Sequence, residues 1–232
     1  MSIYALIPAR LGSRGVPNKN FRQLPDGSGP RHCFDRALFC AVDAGCEPIA
    51  STDAPKDVTG DWDEAKVWID RPLELCQDDT PMIDVVKHAL AAVPGEPDDI
   101  WVLLQPTQPL RKPSHVTDAI ARLRHSNADS VVSVVKLPRT HHPKFVLRVG
   151  ANNELKPWLT DLDIDTQPSR RQEVSPVCIR DGTVYAFRRR TVTERGTIYG
   201  LNVQALVIDP SETCALDTPA DWDALVARIR NA

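Results

Sequence analysis

The stretch "IYALIPARLGSRGVPNKN", Ile3 to Asn20, decides the fold. Ile3 to Pro8 form a short continuous apolar run, the pattern of a strand buried on both faces. The run breaks directly into Arg10, Gly12, Ser13, Arg14, Gly15, Pro17, Lys19 and Asn20. In parallel α/β sheets, ligands bind outside the carboxyl ends of the strands, where this loop would lie. Gly12 and Gly15 permit positive φ and close backbone approach, so that N–H groups can face one anion. Arg10, Arg14 and Lys19 add full charges suited to phosphate oxygens. The loop is neither G-K-[ST] terminated nor G-x-G-x-x-G, and a basic surface turn is the plainer alternative.

Working outward, apolar runs alternate with helical patterns. "HCFDRALFCAVDAG" places Phe34, Leu38 and Val42 about one turn apart and stops at Gly45. "PIASTD" and "KVWID" predict strands. Thr80-Pro81 predicts a capped helix with Met82, Val85, Val86, Ala89 and Leu90 inward. "IWVLLQ" is a second fully apolar strand, Ser114 a cap before Val116, Ala119, Ile120 and Leu123, and "DSVVSVV" a third apolar strand. This β-α-β alternation predicts a mostly parallel sheet covered by helices, a three-layer α/β domain. Residues 136–176 are rich in proline and charge, and predict an excursion of hairpin character from one domain spanning 1–232. "GTVYAFRR" and "NVQALVID" return to strand pattern. Thr218-Pro219 opens a last helix with Trp222, Leu225, Val226 and Ile229 on one face.

Composition narrows the function classes. A net charge of −3 over 232 residues offers no broad basic field for nucleic acid. No apolar run is long enough to span a bilayer, and the N-terminal residues lack the pattern of a signal peptide. Cys33, Cys40, Cys46, Cys76, Cys178 and Cys214 include no C-x-x-C pair. They are expected to be reduced, buried thiols of a cytoplasmic protein.

The loop "IPARLGSRGVPNKN" resembles the I-P-A-R-x-G-S-x-G-x-P-x-K-N signature of the acylneuraminate cytidylyltransferases. The likeness continues in order through "STD" (51–53), "RPLELCQDD" (71–79), "LLQPTQPLR" (103–111), "DSVVSV", "HHPK" (141–144), "QPSRRQ" (167–172), "DGTVY" (181–185) and "LDTPADW" (216–222). It implies a Rossmann-like nucleotidyltransferase fold with a protruding dimerisation arm. The implied reaction is attack by the anomeric hydroxyl of a 2-keto-3-deoxy sugar acid on the α-phosphate of CTP, releasing pyrophosphate. By this resemblance Arg10, Ser13 and Lys19 contact the triphosphate, with Gly12, Gly15 and Asn20 in the same loop, and Arg71 extends the nucleotide pocket. Gln105 contacts the sugar acid, with Thr107, Arg111, Asp181 and Tyr185 near it. Lys144, Arg171 and Gln172 meet a sugar carboxylate, across a dimer interface in the family's arrangement. Mg²⁺ is the implied ion, with Asp217 as its candidate ligand. His141 and His142, adjacent on an extended chain, would point to opposite sides and not chelate one metal.

The resemblance also has gaps. D-I-D-T has become Ala215-Leu216-Asp217-Thr218, which removes one carboxylate, because a methyl group cannot ligate a metal. N-G has become Asp181-Gly182, and P-T-S-P-L-R has become "PTQPLR". These departures leave open a different acceptor, such as Kdo or a phosphonate, and a catalytically weak nucleotide-binding protein.

Overall fold

The computed structural model describes residues 1–25, 32–55, 65–160, 163–168 and 170–231, apart from the side chain of Arg171. Its seven-stranded sheet contains β1 (Ile3–Ala9), β2 (Glu47–Thr52), β3 (Val67–Asp70), β4 (Ile100–Leu103), β5 (Ser130–Lys136), β8 (Cys178–Arg188) and β9 (Val203–Ile208). The spatial order is β3-β2-β1-β4-β8-β5-β9. Only β8 runs against the rest, pairing antiparallel with both β4 and β5. The predicted three-layer, mostly parallel architecture is therefore present, with one reversed strand inserted near its middle.

Period-two alternation in β1 sorts its side chains between the two faces. Ala5, Ile7 and Ala9 meet α1 (Cys33–Asp43) and α3 (Pro113–Arg124) through Phe34, Leu38, Val116, Ile120 and Leu123. Leu6 faces the other way, into a core with Val86 and Leu90 of α2 (Met82–Ala92) and Val192 of α4 (Arg189–Arg195). A third cluster of Val16, Leu24, Cys33, Leu216, Trp222 and Leu225 docks α5 (Pro219–Arg230) against the loop after β1. Burial of these apolar faces is the main favourable contribution to the fold.

Local details correct several sequence expectations. Val42 is exposed, because successive four-residue steps drift by about 40° around a helix, and Ala37 and Ala41 complete the buried face instead. Pro81, not Thr80, is the N-cap of α2, and the Thr80 hydroxyl donates to the Glu74 carbonyl. Lys112 caps α3 because Pro113 already occupies the first helical position, which leaves Ser114 inside the helix. All six cysteines are free, as expected, but Cys178 is exposed, and Cys76 and Cys214 are only partly covered. Burial pushes the Cys33 and Cys46 thiols up to about 12 and that of Cys40 to about 11.

The excursion has the predicted hairpin, β6 (Leu147–Val149) paired antiparallel with β7 (Leu155–Pro157). Among the described residues, no helix is long and apolar enough to cross a membrane.

Candidate active site

The loop after β1 is closed by its own side chains. Asn20 Nδ2 donates to the Arg10 carbonyl (2.8 Å), and the Leu11 N–H donates to Asp53 Oδ1 (2.7 Å) just beyond β2. The Ser13 hydroxyl donates to the Val16 carbonyl and accepts from the Lys19 N–H (3.1 Å). The left-handed residue in this turn is Asn18 (φ 52°), not Gly12 or Gly15; asparagine tolerates that region better than most side chains. Gly15 has a different reason to lack a side chain. A Cβ there would stand 1.9 Å from the Asp217 carbonyl oxygen, so the loop can lie against the 216–217 backbone only as glycine. On Gly12 the same position is open, with nothing within 4 Å.

Each cation of the loop meets a carboxylate brought from elsewhere. Lys19 Nζ donates to the Leu216 carbonyl (2.6 Å) and lies 3.4 Å from Asp217 Oδ1. Arg10 and Arg14 both pair with Asp78. Arg71, 6% exposed, donates through Nε to Ser51 Oγ (3.1 Å) and through Nη2 to the Ser51 carbonyl (2.5 Å). Burial lowers its pKa, an effect opposed by Cys76 and Asp53. Sequence patterning assigns no role to Asp53 or Asp78. Their visible signal is position, at the end of a strand in "STD" and a few residues past Arg71 in "RPLELCQDD".

A second group assembles past β4. The β5–β8 register shifts between Val132 and Val134, so β8 bulges through Asp181–Thr183 and Gly182 takes φ 82°. Bulges commonly re-aim side chains next to sites. A Cβ on Gly182 would lie 3.4 Å from Gln105 Oε1. Arg111 is buried, at 8% exposure, rather than presented at the surface; it donates to the carbonyls of Thr183 (2.5 Å) and Gln105 (2.6 Å). Its pKa is pushed down to about 10 by burial. Gln108, which the sequence shows only as a changed motif position, joins three segments. Its Nε2 donates to the Asp181 carbonyl, while Oε1 accepts from Thr213 Oγ1 (2.9 Å) and the Cys214 N–H (3.2 Å). The Thr107 carbonyl accepts from the Leu216 N–H (3.1 Å). The 213–217 segment thus fastens this group to the Lys19 end of the first loop. Tyr185 is half-buried, 6.4 Å from the Tyr199 ring, and burial raises its hydroxyl above the ordinary range.

Lys144 and Gln172 stand exposed on the excursion, away from both groups in hydrogen bonding, and the side chain of Arg171 lies outside the described residues. Among the described residues, no cluster of three or more His, Cys, Asp or Glu is arranged to hold a metal ion. Asp217 itself is solvent-facing, at 77% side-chain exposure.

A cationic, glycine-bearing loop at the carboxyl end of a parallel sheet, with an arginine buried beside it, lies where open α/β proteins bind their ligands. The chain belongs to the cytidylyltransferase family, whose model matches residues 4–199. It is 29% identical to a CMP-N,N'-diacetyllegionaminic acid synthase of Legionella pneumophila, over 96% of this chain and 94% of that protein. It is 24% identical to an N-acylneuraminate cytidylyltransferase of Streptococcus agalactiae, covering 99% of this chain but 54% of the relative, so it spans about half of that longer protein. A solved CMP:2-keto-3-deoxy-manno-octonic acid synthetase complexed with CTP has the same fold, with TM-score 0.70 and 18% identity over 100% of this chain and 99% of that one.

Proposed function

We propose that this protein transfers CMP from CTP to the anomeric hydroxyl of a 2-keto-3-deoxy sugar acid of the sialic or related nonulosonic type. The acceptor oxygen forms a bond to the α-phosphorus and gives up its proton to water, the bond from that phosphorus to the bridging oxygen breaks, and pyrophosphate departs with the electron pair. Such a displacement needs alignment and charge neutralisation more than covalent catalysis. The observation that carries this reading is the convergence of Arg10, Lys19, Arg71 and the 216–217 backbone at the carboxyl ends of β1–β3. Arg10, Ser13 and Lys19 take the triphosphate in this scheme. Gln105 and the Asp181–Gly182 bulge, supported from beneath by Arg111 and Gln108, take the acceptor. Arg111 is thus a positioning residue, since two of its donors are spent on main-chain carbonyls.

Mg²⁺ fits this residue set as an ion held chiefly by the substrate. The protein offers the Asp217 carboxylate, and phosphate oxygens and water would supply the remaining ligands. Bound there, the ion would neutralise charge on the phosphates. Six free thiols, three of them buried, support residence in a reducing compartment such as the cytoplasm. We further propose a homodimer in which the 136–176 excursion packs on the partner. Pyrophosphate release from CTP with Mg²⁺ across a panel of keto-deoxy acids tests the activity. Release with a nonulosonic acid is expected. CTP binding without release on any acid would instead leave a nucleotide-binding protein.

A further inference from the structure

Asp78 bridges the two arginines of the β1 loop. Its Oδ1 pairs with Arg10 Nη2 and its Oδ2 with Arg14 Nε, while Arg10 Nη1 donates to the Cys76 carbonyl (3.3 Å). One carboxylate spanning two guanidinium groups presents them with the same anionic oxygen acceptors as a phosphate. We propose that Asp78 is a built-in competitor for the phosphates that Arg10 and Arg14 serve, one that weakens the site's hold on a polyphosphate and so eases the departure of pyrophosphate. The proposal rests on the reading of this loop as the triphosphate site.

The segment carrying Asp78 is ordered by its own bonds, so the carboxylate has a defined place. Gln77 Nε2 donates to the Leu73 carbonyl (2.7 Å), the Thr80 N–H to the Gln77 carbonyl (3.3 Å), and the Thr80 hydroxyl to the Glu74 carbonyl (3.3 Å). The hydrogen bond from Arg10 holds Asp78 below the ordinary carboxylate range, so it is charged at neutral pH. Any ligand phosphate must replace that charge on the arginines. A phosphate monoester such as CMP carries about −1.5 to −2 at neutral pH, less than a polyphosphate, and gains less by the exchange. Pyrophosphate and the tail of CTP carry several, and Coulomb attraction favours them over the carboxylate. After transfer, Asp78 would retake the arginines as pyrophosphate leaves, which opposes rebinding. The effect is modest because Arg14 is largely exposed and its pair is screened by water.

The test is calorimetric titration of inorganic pyrophosphate, CTP and CMP into the wild-type chain, Asp78→Asn and Asp79→Asn, with and without Mg²⁺. Thermal melts check that each variant is folded. Asp79 is exposed, and its replacement removes the same charge one residue away without touching the bridge. Asp78→Asn is expected to bind pyrophosphate and CTP about fivefold more tightly, the scale of an exposed ion pair, with a smaller gain for CMP, which brings less negative charge. Asp79→Asn is expected to match the wild type. Equal pyrophosphate affinity in Asp78→Asn and wild type would overturn the proposal while leaving the loop as the phosphate site. So would equal tightening by Asp79→Asn, since bulk charge would then account for it. Weaker binding by Asp78→Asn, in either metal condition, would make Asp78 a ligand or metal partner and also overturn it. Failure of every protein to bind either polyphosphate would strike the loop assignment as well.

Discussion

Lys19 has two tasks that a single substitution separates poorly, so its test must read binding directly. Its ammonium fastens the loop to the Leu216 carbonyl and stands beside Asp217, where a triphosphate tail would bring negative charge. Lys19→Ala is expected to weaken CTP binding by about 1.5–3 kcal/mol, the range for hydrogen bonds to charged groups. Unchanged CTP affinity by calorimetry, in a variant that melts normally, would remove the loop from the site. Asp217 should behave differently. It is solvent-facing and paired only at 3.4 Å, so it contributes little to the fold, and in the proposed scheme its value lies in charge that develops during transfer. Asp217→Asn keeps the shape and removes the charge; turnover should fall about a hundredfold, as when one main electrostatic contributor is lost, with CTP affinity changed far less. Undiminished steady-state turnover would reduce Asp217 to a turn residue before a helix. Of these residue-scale features, the basic loop is legible in sequence because glycine, charge and a strand end are local signals, and Asp217 because it directly precedes the Thr218-Pro219 helix start rather than lying at a strand end. Asp78 and Gln108 are not, because their partners lie on other segments, at Arg10 and Arg14 for one and Thr213 and Asp181 for the other.

Among the elements, α5 matters most to the proposed site because its N-terminus presents Asp217. Thr218 Oγ1 accepts from the Asp221 N–H (3.3 Å), and Asp221 Oδ2 accepts from the N–H groups of Thr218 (2.7 Å) and Asp217 (3.1 Å). This is the capping box that Thr218-Pro219-Ala220-Asp221 predicts, and it orients the residue before the cap as well as the helix. Thr218→Ala is expected to cost about 1 kcal/mol at pH 7 and to lower turnover by loosening Asp217. Hydrogen bonds from the Thr218 hydroxyl, then from the two N–H groups, hold the Asp221 carboxyl below its ordinary range. A folded pKa below the unfolded one gives stability that is complete above the unfolded value, about 3.9, and lost as pH falls through the folded value. The melting-temperature gap between wild type and Thr218→Ala should therefore narrow below about pH 4. A gap that stays constant into acid would show that Asp221 does not act through the cap. Elements of this kind, with a cap, a proline and an apolar stripe in one short window, are readable from sequence. The insertion of antiparallel β8 between β4 and β5 is not, since strand alternation records which face is buried and says nothing about which strand lies alongside. The bulge at Asp181–Thr183 is hidden for the same reason, because it exists only relative to the β5 register.

At the scale of the whole molecule, the excursion is the segment on which the proposed dimer turns. Its hairpin has two short strands, and such a unit is marginal without support from another layer. Yet Val149, Leu155, Trp158 and Leu159 are all more than half exposed, with Val149 at 66% and Trp158 at 63%. Exposed apolar side chains on one short segment are what the partner of the proposed dimer would cover, and a tryptophan among them is the residue type that anchors interfaces most often. Two-fold pairing of this surface would give each excursion the layer it lacks and carry Lys144 and Gln172 toward a neighbouring chain. Trp158→Asp should therefore convert a dimer to a monomer in sedimentation velocity, because burying a carboxylate in an apolar contact is strongly unfavourable. The sheet core lies elsewhere, so the melting transition of the monomeric variant should remain cooperative. If the neighbour completes the acceptor half of the site, the same variant should lose affinity for the sugar acid while its CTP affinity, set by the β1 loop of its own chain, stays near the wild-type value. A wild-type chain that sediments as a monomer at assay concentrations would reject the dimer. A monomeric variant that keeps full acceptor affinity would show that each chain builds its acceptor site alone.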